Sequence, residues 1–253
     1  MDYEFKNEYD FNEANYKKNN EREFQRANLM PGLGSVFGYM FLGLLLTGLI
    51  AVFLPILLFS AITDAELAFK VYIGLLIGGA IGSAISMLVA QLVCIKEERG
   101  GLACFLVYAT MMGILMSSFV LVYDMSIIGY AFLCAAGSFG VMAIYGLITK
   151  GDGKMFGFIG FGLLGAVMLL SLTYFIMSLF GMEIPILAFV ISLLGIIMFL
   201  AFTAFDVIRA KEMAKQGTLT TNLAAYFALQ IYTDFIYLFI RILYFLSRFV
   251  KRD

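Results

Sequence analysis

After a polar opening of about thirty residues, the chain is a succession of long apolar runs separated by short polar breaks. A helix needs about 20 predominantly apolar residues to cross the hydrocarbon of a bilayer. Runs of that length fall at Leu33–Ser60, Ala68–Ile95, Leu102–Val122, Ile127–Thr149, Met155–Phe180, Pro185–Ile208 and Leu223–Leu246. They predict an all-α integral membrane protein with seven transmembrane helices, in one domain over residues 31–253. The last run carries an aspartate, Asp234. Charged groups inside a span face the bundle interior, so this C-terminal helix is expected to be central and wrapped by the other six. Residues 1–30 mix both charge signs and lack the apolar stretch and cleavage site of a signal peptide. They are expected to form a disordered cytosolic tail.

Composition agrees with the pattern. The chain is 62% hydrophobic and 14% charged, against about 45–50% and about 25% in soluble domains. A net charge of −1 argues against nucleic-acid binding. There is no histidine, which excludes HExxH zinc chemistry, a Ser-His-Asp triad and a histidine pH switch. Cys94, Cys104 and Cys134 lie in or beside apolar runs without CxxC spacing and read as small buried hydrophobes. Gly74, Gly78 and Gly82 form a small-residue stripe on the second helix, suited to close approach by a neighbour.

Lysines and arginines set the orientation. They concentrate in the N-terminal tail and in the second, fourth and sixth loops, which are therefore expected in the cytosol. Seven spans place the C-terminal tail outside, although it carries Arg248, Lys251 and Arg252. A re-entrant last helix would return it to the cytosol, but Leu223–Leu246 is long enough to cross. Short loops suggest a bacterial cytoplasmic membrane. The outer loops carry Asp64, Glu66, Asp124 and Glu183 against Lys70. That is either an acidic mouth concentrating cations or ordinary solvated charge.

A carboxylate at membrane depth needs a proton or a partner. The sixth helix carries Asp206 near its end, and the link to the seventh is "KQGTLTTN". Gly217 can stop one helix, and Thr220, Thr221 or Asn222 can cap the next. Centred near Thr220, the hairpin puts Asp206 fourteen residues before the turn and Asp234 fourteen after it. Both then lie about 20 Å from the turn, free to face one another. Apposed carboxylates cannot both ionise cheaply, and a proton shared between them would latch the two helices together. Alternatively, Asp206 snorkels to the interface, and Asp234 pairs with Arg241 or with Gln230.

"AFDVIRAK" followed by "YFALQIYTDFIYLFIRIL" resembles the last two helices of the transmembrane Bax inhibitor motif family (the Bax-inhibitor-one-like proteins). "AFLCAAGSFGVMAIYGLITKGDGKMFGFIGFGLLGAV" resembles its fourth helix, following loop and fifth helix, and "ACFLVYATMMGILMSS" is similar to its third. The resemblance covers about residues 30 to 250. It implies a central last helix between two layers of three. It also implies a pH-sensitive calcium leak sensed by paired aspartates, here Asp206 and Asp234. Calcium takes hard oxygen ligands, so the same two carboxylates are the expected calcium ligands. Two departures stand out. Some members tie the pair to an arginine on the second helix, absent here, which leaves Arg209 or Arg241 as sensor partners. The family's usual asparagine three residues after the second aspartate is Tyr237.

Two other classes compete. Intramembrane aspartyl proteases also pair aspartates on their sixth and seventh helices. They need Gly-x-Gly-Asp and Pro-Ala-Leu, where this chain has "IYTD" and no Pro-Ala-Leu, so no enzyme activity is expected. The other is a modulator that binds membrane proteins such as a protease or a cell-death regulator. Calcium, as permeant ion, the bilayer and such proteins are the expected partners, with no cofactor.

Overall fold

The computed structural model describes the backbone of residues 2–95, 100–182 and 184–250, and side chains within 32–94, 100–182 and 184–248. Seven helices follow one another: α1 (Asp2–Ala61), α2 (Ala65–Ile95), α3 (Gly101–Val122), α4 (Met125–Ile148), α5 (Lys154–Leu179), α6 (Pro185–Lys215) and α7 (Thr221–Val250). Each holds a stretch of 22 to 31 residues apolar enough to cross a membrane, so the protein is an integral membrane protein. The expected spans recur with ends shifted by a few residues, save that α6 runs on from Ile208 to Lys215. The expected disordered tail at residues 1–30 falls in the opening of α1, and whether it stands apart from the bundle lies outside the described side chains.

Local chemistry fixes the breaks. Gly153, at φ 72°, precedes α5. Pro185 opens α6, where its missing N–H is not needed. Gly217 closes α6 at φ 68°; its N–H reaches Ala214 O and that of Thr218 reaches Met213 O. This paired return satisfies carbonyls the helix leaves open, and a left-handed residue there favours glycine. Thr220 caps α7, its Oγ1 accepting from the Leu223 N–H.

Helix α7 is the centre. Two thirds (67%) of its most apolar stretch is buried, against 17–39% in the other six. It packs against α1, α2, α3, α4 and α6, while α5 stands behind α6 as an outer layer. Helices α1–α3 pack together on one side, and α4–α6 on the other. The remaining helices bury one face and give the other to lipid, as the exposed Phe41, Phe53, Ile81, Leu133, Phe158 and Leu169 show. On α2 the close approach differs from the expected stripe. Gly74 and Gly78 face open space, and α3 meets Gly79 through Ile114 and Gly82 through Met111.

Buried hydroxyls fasten α7 to the first group. Thr47 of α1 donates to Ala109 O of α3 at 2.9 Å and shares a 2.6 Å hydrogen bond with the Tyr232 hydroxyl of α7. The Tyr232 ring meets Phe105 and Tyr108 edge-on. Tyr72 of α2 bonds Ser117 of α3 at 2.9 Å. In hydrocarbon such groups have no water to return to, so each pairing holds its helices in one register.

Candidate functional site

The seam between α6 and α7 holds the charges. Asp206 and Asp234 are both buried, at 8% and 7% exposure. No hydrogen bond or ion pair joins the two carboxyls among the described residues, and Asp234 Oδ2 is buried without a partner. The shared-proton contact expected from the spacing is therefore absent from this conformation.

Contacts along the seam give the reason. Phe199 of α6 stacks on Tyr237 of α7, ring centroids 5.3 Å apart at 15°. The stem of Arg241 crosses Gly195. Phe199 and Tyr237 lie 19 residues either side of residue 218, and Gly195 and Arg241 lie 23 either side. The hairpin is thus centred near 218, two residues before the expected Thr220. On that register Asp206 is 12 residues from the centre and Asp234 is 16. The offset is one turn, about 6 Å along the axis. The Phe199–Tyr237 stack lies further along the seam than either carboxyl, on the side away from the α6–α7 turn.

The expected partners take other places. Arg209 lies over the rings of Phe205 and Phe227, 5.3 and 5.9 Å from their centroids, and makes no ion pair with Asp206 among the described residues. Arg241 is two turns from Asp234 and makes no ion pair with it among the described residues. Gln230 donates to the Tyr226 hydroxyl at 3.0 Å. For calcium, the pair supplies oxygen donors of the right hardness, but no third acidic, histidine or cysteine side chain joins it among the described residues. Of the loop acids expected on the outer side, two are committed locally: Asp64 Oδ1 accepts from the Glu66 and Leu67 N–H groups, and Glu66 pairs with Lys70 at 2.6 Å. Glu183 lies outside the described residues.

One charged residue escaped the sequence reading. Lys211, one and a half turns beyond Asp206, is 5% exposed. Its ammonium donates to Gly146 O at 2.8 Å, to Leu147 O at 3.2 Å, and to Thr149 O. It satisfies carbonyls at the C-terminal end of α4, where the helix dipole also favours a cation. In sequence it is one of three basic residues at the end of α6, and nothing in its spacing marks it as the inward one.

A family profile described as "Inhibitor of apoptosis-promoting Bax1" matches residues 30–251. The inner membrane protein YbhL of Escherichia coli strain K12 is 31% identical over 225 residues, 86% of this chain and 92% of its own length. An uncharacterised protein of Borreliella burgdorferi is 29% identical over 227 residues, 85% and 91% of the two chains. The uncharacterised protein YrjE of Lactococcus lactis is 33% identical over 159 residues, 60% of this chain and 64% of its own.

Proposed function

The chain belongs to the family described as inhibitor of apoptosis-promoting Bax1, and from that premise we propose that it is a pH-sensitive, calcium-permeable leak whose sensor is the carboxyl pair Asp206 and Asp234. One observation carries the reading. Two carboxyls lie buried on adjacent helices of the bundle core with neither a cationic partner nor a hydrogen bond to one another among the described residues. Intramembrane acids in that condition mark ion paths and proton relays.

The mechanism follows from charge. With a proton on at least one carboxyl, α6 and α7 stay packed and the Phe199–Tyr237 stack stays in place. When both ionise, the two negative charges on adjacent helices repel by about 2–4 kcal/mol, taking an effective dielectric near 20 and separations of roughly 4–8 Å. That is enough to bias a two-state arrangement whose gap is a few kcal/mol. The separated helices then offer calcium two carboxylates, its remaining coordination filled by water or backbone oxygen. In this reading the protein sits in a cytoplasmic membrane with its N-terminus and even loops in the cytosol, and the 1–30 segment takes no part in the path.

The test is calcium flux into proteoliposomes of pure protein across a pH series. Asp206→Asn and Asp234→Asn should each flatten the pH response, and the double variant should be no worse than either single one, because the two act as a unit. Either single variant keeping the wild-type pH profile overturns the sensor. The family's description as an inhibitor of another protein favours a second reading, a membrane-embedded modulator of a protease or cell-death regulator. That reading requires a membrane protein to co-purify and does not require flux by the pure chain.

A further inference from the structure

Arg241 is the charged group in the α6–α7 seam that the carboxyl pair does not use. It stands on α7 (Thr221–Val250), nine residues before Val250. That helix has 30 residues and is about 45 Å long at 1.5 Å per residue. The hydrocarbon is about 30 Å thick, so a centred helix extends roughly 7 Å past it at each end. Arg241 lies about 13 Å back from Val250 along the axis. Its backbone is then about 6 Å below the hydrocarbon edge, within the length of its own side chain.

The local packing is shaped for it. A Cβ added at Gly195 of α6 would lie 3.0 Å from Arg241 Nε and 3.3 Å from Cδ. The stem therefore runs through a notch that exists because position 195 has no side chain. No hydrogen bond or ion pair among the described residues uses the guanidinium, and the residue is only partly buried. Tyr244 follows three residues on, about one turn along the same face of α7. The Tyr244 hydroxyl already accepts from Arg248 Nη2 at 2.7 Å, beneath the Arg248 guanidinium 5.0 Å from its ring centroid. Its own O–H remains to donate. A planar fork of N–H donors beside a phenol O–H matches the oxygens of a phosphate group.

We propose that Arg241, seated over Gly195, binds with Tyr244 the headgroup phosphate of an anionic membrane lipid in the leaflet at the C-terminal end of α7. Inorganic phosphate has the same oxygens, but at this depth the lipid is the source that presents them, with acyl chains lying along the exposed apolar face of α6 that carries Ile186, Phe189, Leu193 and Ile197. The site does not depend on ion conduction.

The test uses the full-length protein in mild detergent, titrated with phosphatidylglycerol, phosphatidylcholine or inorganic phosphate. Retained lipid is read by native mass spectrometry, and the thermal midpoint is read in parallel. Phosphatidylglycerol should bind and raise the midpoint, while phosphatidylcholine and inorganic phosphate bind at least tenfold more weakly. Arg241→Gln should weaken phosphatidylglycerol at least tenfold, and Arg241→Lys, which keeps the charge but not the fork, severalfold. Gly195→Val fills the notch without touching any charge and should weaken it as much as Arg241→Gln. Should Arg241→Gln not fold, Arg241→Lys and Gly195→Val carry the test. Unchanged phosphatidylglycerol binding in the folded variants overturns the site, as does equal binding of phosphatidylcholine or of inorganic phosphate.

Discussion

Replacing Lys211 with methionine isolates the contact that ties α4 to α6. The substitution keeps the length of the stem and removes the ammonium. Three donated hydrogen bonds are lost, to Gly146 O, Leu147 O and Thr149 O. A hydrogen bond involving a charged group contributes about 1.5–3 kcal/mol net, so the simple sum is upwards of ~4.5 kcal/mol. Two corrections act in opposite directions. Removing a cation that is 5% exposed relieves its desolvation. Against that, carbonyls at the end of α4 are left without donors beside α6, and breaking a buried charged contact from one side costs about 3–5 kcal/mol. The expected loss is about 3 kcal/mol, which in a chain of this size lowers the melting midpoint by roughly 6–12 °C. A thiol-reactive fluorogenic dye can follow the transition in detergent, because Cys94 is buried and free and becomes reactive on unfolding. The background should carry Cys104→Ser and Cys134→Ser, since those two are more accessible. Lys211→Gln, which keeps an N–H donor, should fall between. A midpoint within about 2 °C of wild type for Lys211→Met would refute the reasoning and mean that the α4 carbonyls find other donors.

Tyr232→Phe removes the 2.6 Å bond to Thr47 and leaves Thr47 still donating to Ala109 O, so the midpoint should fall by about 2–4 °C, for about 1 kcal/mol. Gly113→Ala sets a Cβ 2.8 Å from Ile50 Cβ and 3.1 Å from Thr47 O; α1 must move off α3, at about 1–3 kcal/mol, read as a lower midpoint without loss of helical circular dichroism. The control for pH sensing is Asp152→Asn. The Lys154 ammonium, 2.6 Å from Asp152, holds that carboxyl below the usual carboxylate range. A lowered folded value means that its contribution is present above the ordinary carboxylate range and lost only as pH falls through the lowered value. Between pH 5 and 8 its charge is constant, so Asp152→Asn should leave the pH profile of calcium flux unchanged; a shifted profile would place a sensor in the α4–α5 turn.

The spans and the central helix were legible because both are written as composition. A run of 20 apolar residues has few fates, and Asp234 inside such a run needs a bundle interior. The stop at Gly217 and a cap among Thr220, Thr221 and Asn222 were legible because each answers a local backbone demand, and the structure selects Thr220. The register of the α6–α7 hairpin was not. Its centre depends on how the six residues around Gly217 fold back, and an error of two residues shifts the two carboxyls by a full turn relative to one another. Nor did the basic cluster 209–215 show which member turns inward. Arg209 goes to the rings of Phe205 and Phe227, and Lys211 to the end of α4. That choice is made by what α4 and α7 present, and spacing on α6 carries no trace of it.

The central position of α7 has a consequence for biosynthesis. The ribosome delivers helices in chain order, and the one against which five of the other six pack arrives last. Until about residue 221 is made, α1–α3 and α4–α6 hold only their contacts with one another, and Asp206 faces an unfilled gap. Synthesis proceeds at about 5–20 residues per second, so the nascent chain spends seconds as two half-shells around a missing axis. The buried Tyr232, Phe227 and Leu238 that fill that axis all lie in the final segment. A chain stopped before Thr221 would therefore have spans but no filled centre, and quality control could recognise it by the polar groups that centre leaves exposed to lipid.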